Sequence, residues 1–332
     1  MRHLTISEFG SFLGITGNRL VVSDRESGER YETPLSRLRS IRITKPGVSL
    51  SSDLILACSA RGVRLYFCNW KGIGVAAISG EHQHAVVEVR RSQFKCISSD
   101  KSKEISREII FTKIRNQRAV LCYFSKYLAK TDENRCDILL KASSSLDEIS
   151  QKIKILNLSR ERWREHLMTF EGQAASQYWK ALSSSGLLPE SFTEREGRGS
   201  TEIVNSALNY GYSILTSYCW SALDNAGLEL YAGVLHVNRP GRASLVLDFM
   251  EEYRPWIVDR NIIKLRFQLK NHDSLDKKLT ALIISSIDST MAGQVNWKGK
   301  KVKLENIMQR QAYRLASSMV IDRKYRGYRF KW

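Results

Sequence analysis

Residues Ile97 to Lys103 read ISSDKSK, and the period of the hydrophobic residues changes across them. Before this stretch, short β-branched or alternating runs stand between glycines and polar turns: RLVVS from Arg19, SIRIT from Ser40, RGVRLYFC from Arg61 and AVVEV from Ala85. Such runs suit strands with a buried face. After it, apolar residues recur at helical spacing through Ile109 to Ile114 and Val120 to Ser125, and again from Ser145, where Ser145 and Glu148 suit a capping box. The sequence thus predicts an α+β chain: a small β-sandwich-like domain over residues 1–93, a linker over 94–103, and a larger, mainly α-helical domain over 104–332.

A chain of 332 residues, 42% hydrophobic, can bury two cores of this kind. Its 52 lysines and arginines exceed its 34 acidic residues, for a net charge of +18 and a pI near 9.7, so a polyanionic partner is expected. Nucleic acid is preferred to a membrane surface, because no stretch combines basic residues with a bulky apolar face. No run approaches the ~20 apolar residues of a membrane span, and MRHLTISEFG lacks the apolar centre of a signal peptide, so a cytoplasmic protein is expected. The six cysteines have no CxxC spacing and read as reduced core thiols.

The charge is uneven. Through Cys96 there are fourteen lysines and arginines against eight acidic residues, which suits a scaffold or dimerisation role for the β domain. From Lys300 onward ten basic residues face two acidic ones, interleaved with Tyr313, Tyr325, Tyr328, Phe330 and Trp332. Lys300, Lys301, Arg323, Lys324 and Arg326 are therefore candidate nucleic-acid contacts, with a solvated tail as the alternative. Residues 186–200, GLLPESFTEREGRGS, break the helical pattern and read as an exposed mobile loop near the site or as a plain linker.

Three further segments carry candidate chemistry. Glu171, in EGQAA, projects onto a helical stripe with Leu167, Met168, Ala174, Ala175, Tyr178 and Leu182. A carboxylate there is partly buried and needs a cation facing it, either a metal or an arginine. Asp248 and Glu251, in LVLDFMEEYRP, share a helical face that Glu252 also reaches, and Pro255 marks the expected helix end. Taken alone, such an acidic face is ordinarily solvated. His236 follows the apolar run Ala232-Gly233-Val234-Leu235, a setting that serves a core histidine as well as a ligand.

Together with IVNSALNYGYSIL (203–215), AGL at Ala226 and GRASLVLDFMEEYRP (241–255), these segments resemble the CRISPR-associated spacer-acquisition integrase, the universal catalytic subunit of CRISPR adaptation. The resemblance spans nearly the whole chain. It departs from the family pattern at Ser176, where arginine is frequent, and at Glu229-Leu230, where Asp-Pro is usual. It implies Glu171, His236 and Glu251 as catalytic metal ligands for Mg2+ or Mn2+, with Asp248 auxiliary to them, although Glu252 also lies within reach. It further implies that the 3′-hydroxyls of short DNA duplexes are joined to CRISPR repeat DNA by a homodimer working with a small ferredoxin-fold partner. Arg239 and Arg242, between His236 and the acidic helix, are candidate phosphate contacts or partners for Glu251 or Glu252. A general structure-specific metal-dependent endonuclease and a non-catalytic nucleic-acid scaffold are the alternatives. No Walker loop, GxGxxG run or nucleophile elbow points to nucleotide or acyl chemistry.

Overall fold

The computed structural model describes residues 2–24, 28–69, 74–78, 86–197, 199–237, 239–321 and 323–331. It divides into two compact units, Met1–His84 and Ala85–Trp332.

In the first unit, β1 (Arg2–Ile6), β2 (Ser11–Thr16), β3 (Arg19–Asp24), β4 (Arg30–Pro34), β5 (Leu38–Ile43), β6 (Ser49–Leu50), α1 (Ser52–Ala60), β7 (Arg64–Cys68) and β8 (Gly74–Ile78) build two four-stranded sheets. One runs β1-β5-β7-β8 and the other β4-β3-β2-β6. β1, β5 and β7 are parallel, with Leu4 opposite Ile41 and Ile41 opposite Leu65, and β8 returns antiparallel. Leu13 and Leu20 of one sheet share a core with Ile6, Ile41 and Leu65 of the other and with Leu54 of α1. The expected strand-rich domain is present, with a helix that the sequence reading did not anticipate.

The change from strand to helix comes earlier than expected. The run from Ala85 enters α2 (Val86–Ile97), because Val89, Gln93, Cys96 and Ile97 recur at helical spacing and turn inward. Two residues later α3 (Asp100–Leu128) begins. Residues 94–103 are thus a helix end, a short break and a helix start rather than a linker. Their serines turn the chain locally: Ser99 Oγ donates to Cys96 O at 2.8 Å and Ser102 Oγ to Ser99 O at 2.8 Å.

α4 (Glu133–Lys154) is capped by Asp132, whose side chain accepts from Arg135 N, so Ser145 lies mid-helix and caps nothing. α5 (Trp163–Ser184), α6 (Ile203–Asn225) and α7 (Ser244–Met250) follow. A π-helical segment, Arg254–Asp259, then leads into α8 (Arg260–Lys264), α9 (Arg266–Leu269) and α10 (Lys277–Ala292). Pro255 therefore does not end the helical run; it occupies the first turn of the π segment, where its missing N–H is tolerated. A hairpin of β9 (Gln294–Trp297) and β10 (Lys300–Lys303) precedes α11 (Leu304–Val320).

α3 is the centre of this unit, packing on α2, α4, α5 and the π segment, with Ile109, Ile114, Val120 and Leu121 wholly buried. Residues 186–197 and 199–200 are irregular but anchored. Leu187, Leu188 and Phe192 are buried, and Arg195 donates to Asn205 Oδ1 at 3.0 Å and Asn209 Oδ1 at 2.7 Å on α6. The segment after α11 is docked rather than solvated: Tyr325 and Phe330 are buried, while Arg323, Lys324, Arg326 and Arg329 stay exposed. Among the described residues no helix is long and apolar enough to cross a membrane.

Candidate active site

Lys113, on α3, joins two carboxylates from separate elements. Its Nζ donates to Glu171 Oε1 of α5 at 2.5 Å and lies 2.7 Å from Glu251 Oε2, an ion pair without hydrogen-bond alignment. Glu251 terminates α7, and Arg254 Nη2 stands 3.3 Å from its other oxygen. The three side chains of the inner cluster are 12% (Lys113), 16% (Glu171) and 5% (Glu251) exposed, so their charges interact with little screening by water.

Burial alone would raise the Glu251 carboxyl, but Arg254 and Lys113 outweigh it and, with a smaller contribution from His236, hold it at about 2. Lys113, which burial would discharge, is raised instead by Glu251 and Glu171. The helical stripe around Glu171 is confirmed at Leu167, Ala174, Tyr178 and Leu182, whereas Met168 faces outward. The protein cation facing the partly buried Glu171 is a lysine rather than an arginine.

His236 is held by Asp248. The imidazole Nδ1 lies 2.5 Å from Asp248 Oδ1, and the same carboxylate accepts the backbone amides of Val234 (2.7 Å), Leu235 (2.9 Å) and His236 (3.0 Å). Asp248 is wholly buried, so these bonds replace the water it has lost. Gly233 makes the approach possible: a Cβ there would stand 2.8 Å from Asp248 Oδ2 and 2.7 Å from Ser244 Cβ. The loop is pinned further by Gln93, whose side chain donates to Glu229 O and Ala232 O and accepts from Glu229 N.

The solvated reading of the acidic face is overturned, since Asp248, Glu251 and Glu252 are all buried. Glu251 and Glu252 also part company. Glu252 accepts from Tyr325 Oη at 2.5 Å and Tyr328 N at 3.0 Å, away from the lysine, and burial pushes its carboxyl up to about 8 against those bonds. Neither Arg239 nor Arg242 pairs with either glutamate among the described residues; Arg239 is exposed and Arg242 half-buried. Lys300, Lys301, Arg323, Lys324 and Arg326 are exposed on β10 and the C-terminal segment.

Among the described residues, no three histidine, cysteine or acidic side chains are gathered to hold a metal ion as they stand. In kind, the donors still suit one. Two carboxylates face a single ammonium, and a histidine engages a buried carboxylate through Nδ1, the arrangement that orients an imidazole toward a cation through Nε2. Lys113 occupies the place between the glutamates.

The sequence reading passed over Lys113 and Arg254, and did not foresee that Tyr325 and Tyr328 of the tail hold Glu252. A signal for Lys113 existed: α3 is apolar on nearly every side around Ile109 to Ile114, and a charge in such a helix must be paired.

A family model described as CRISPR associated protein Cas1 matches residues 4–285. The CRISPR-associated endonuclease Cas1 1 of Francisella tularensis subsp. novicida is 44% identical over 332 residues, covering all of both chains. A protein of the same name from Archaeoglobus fulgidus is 28% identical, with 99% of each chain covered. Among solved structures, a casposase bound to an integration product superposes with a TM-score of 0.80 at 21% identity, covering 98% of this chain and 93% of that one. A Cas1 protein from Thermotoga maritima gives 0.77 at 19% identity, covering 98% and 100%.

Proposed function

Since the chain belongs to the Cas1 family of CRISPR-associated proteins, we propose that it is a divalent-metal-dependent DNA integrase-endonuclease that joins the 3′-hydroxyl ends of short duplex fragments to CRISPR repeat DNA. The observation that carries this reading is the pair of glutamates, buried Glu251 and partly buried Glu171, brought from the end of α7 and from α5 to one cationic point. A scaffold protein has no need to gather two carboxylates there at the desolvation cost they incur.

Glu171, His236 and Glu251 would hold the metal, Mg2+ or Mn2+; an imidazole in the donor set makes Mn2+ at least as comfortable as Mg2+. When bound, the ion supplies Lewis acidity to the non-bridging and leaving oxygens of the phosphate under attack. Asp248 fixes the ring of His236 through Nδ1, and the three amides on Asp248 fix the carboxylate in turn. Arg254 keeps Glu251 ionised across the physiological range. Arg239 and Arg242, in the loop after His236, would meet the DNA backbone, with the exposed basic residues of β10 and the C-terminal segment as a second contact region.

The proposed assembly is a homodimer with a small ferredoxin-fold partner. What supports a second Cas protein in the assembly is that this chain also superposes, at a TM-score of 0.76 and 19% identity, on a solved Cas6-RT-Cas1–Cas2 complex, over 98% of this chain and 36% of that one. Incubating the protein with its small partner, a 3′-hydroxyl duplex and a supercoiled repeat plasmid tests the reading. Covalent joining that requires both the metal and Glu171 is expected. Cutting without joining would make the site a nuclease, and DNA binding with neither would leave a scaffold.

A further inference from the structure

The C-terminal segment lies along one face of α3 and reaches the turn that carries Glu251. Glu108, Thr112 and Asn116, four residues apart, form the track. Gly327 N donates to Glu108 Oε1 at 3.2 Å, and a Cβ at Gly327 would stand 2.4 Å from Thr112 Oγ1, so the segment sits against the helix as closely as a glycine allows. Asn116 is wholly buried and saturated: Nδ2 donates to Tyr328 O (2.9 Å) and Glu252 O (2.7 Å), and Oδ1 accepts Phe330 N (3.0 Å). Phe330 stacks on Trp256 of the π segment at 5.3 Å and 16°. The Tyr325 hydroxyl and the Tyr328 amide complete the grip on the Glu252 carboxylate.

Both sides of the site are held by the same short stretch. Asn116 lies one helical turn from Lys113, and Glu252 is the residue after Glu251. We infer that residues 325–330 are a positioning clasp, which binds Glu252 and Asn116 so that Glu251 stays turned toward Lys113, Glu171 and the metal proposed above. Tyr325, Asn116 and Glu252 are positioning residues in this scheme, and the charge of Glu252 has no direct part in the chemistry. The inference rests on the proposed metal site, but the clasp itself can be judged separately.

The test uses the full chain, Tyr325→Phe, Glu252→Gln, Glu252→Ala and a chain ended after Asp322, each with and without a synthetic peptide of residues 323–332. Two quantities are read: Mn2+ affinity by electron paramagnetic resonance, and amide exchange across residues 247–257. Tyr325→Phe, Glu252→Ala and the shortened chain are expected to lose Mn2+ affinity by about tenfold or more, as supporting residues of a metal site do. Exchange in the turn should quicken in parallel, and the peptide should restore both for the shortened chain. Glu252→Gln can accept from Tyr328 N through its oxygen and donate to the Tyr325 hydroxyl through its amide, and should retain the slow exchange and the affinity. Unchanged exchange in Tyr325→Phe and the shortened chain overturns the clasp, and so does a Glu252→Gln affinity as poor as that of Glu252→Ala. Failure of the unaltered chain to bind Mn2+ refutes the metal site instead, and the exchange data still decide the clasp.

Discussion

Replacing Lys113 with methionine separates its two possible relations to the metal. The substitution keeps the unbranched apolar stem as far as Cε and removes a cation that lies 2.5 Å from Glu171 and 2.7 Å from Glu251, all three side chains being at most 16% exposed. Glu251 keeps Arg254 at 3.3 Å, whereas Glu171 loses its ion pair and, among the described residues, keeps only the more distant attraction of Arg254. Breaking a buried pair from one side costs about 3–5 kcal/mol. For a helical unit of this size, each kcal/mol moves the midpoint by about 2–4 °C, so metal-free Lys113→Met should melt roughly 6–20 °C below the unaltered chain. A divalent cation at a hundredfold excess over its Kd returns about 2.7 kcal/mol. The variant should therefore regain much of the loss in Mn2+, while the unaltered chain, in which the ion must displace the ammonium, gains less. Differential scanning calorimetry with and without Mn2+ reads both shifts. Equal metal-induced shifts in the two proteins would refute the idea that lysine and metal compete for one place.

Three further outcomes follow from the same contacts. Asp248→Ala strands three backbone amides and the His236 ring, and should cost on the order of 3 kcal/mol or more in urea denaturation, whereas Asp248→Asn, which keeps an acceptor, should lose less. Asp259 accepts from Tyr212 and Tyr178, and burial raises its carboxyl to about 6 against those bonds. The folded state thus binds the extra proton between about pH 4 and 6, so stability relative to Asp259→Asn should fall as pH rises through that window and level off above it; a flat difference would contradict the assignment. Arg239→Ala and Arg242→Ala should each lower the salt dependence of DNA binding by about one unit of slope, measured by a fluorescence titration across salt concentrations, and an unchanged slope would remove them from the DNA path.

The α+β division was legible because it rests on local periodicity, as was the sharing of one helical face by Asp248 and Glu251, whereas His236 was singled out by the apolar run before it and by the family resemblance. RLVVS and the runs from Ser40 and Arg61 became strands since β-branched alternation needs only a neighbouring strand to satisfy it. AVVEV was misread because five residues fit both periods, and only Gln93 and Cys96 beyond it select the helix. The distinction between Glu251 and Glu252 was hidden for another reason. It depends on Tyr325 and Lys113, which lie 73 and 138 positions away in the chain from Glu252 and Glu251 respectively. No pattern within a single helix encodes such distant partners.

The π-helical segment between Arg254 and Asp259 sets how this region tolerates change in length. A π turn contains about one residue more than an α turn, so the residues on its two sides are out of phase with a continuous helix. At its start, Glu251 meets Lys113 and Arg254; at its end, Asp259 reaches Tyr178 and Tyr212. Removing a single codon from this stretch would restore regular winding and swing Asp259 by roughly 100° relative to Glu251. Substitutions here act one contact at a time, whereas a one-residue deletion would uncouple the site from the core beneath it.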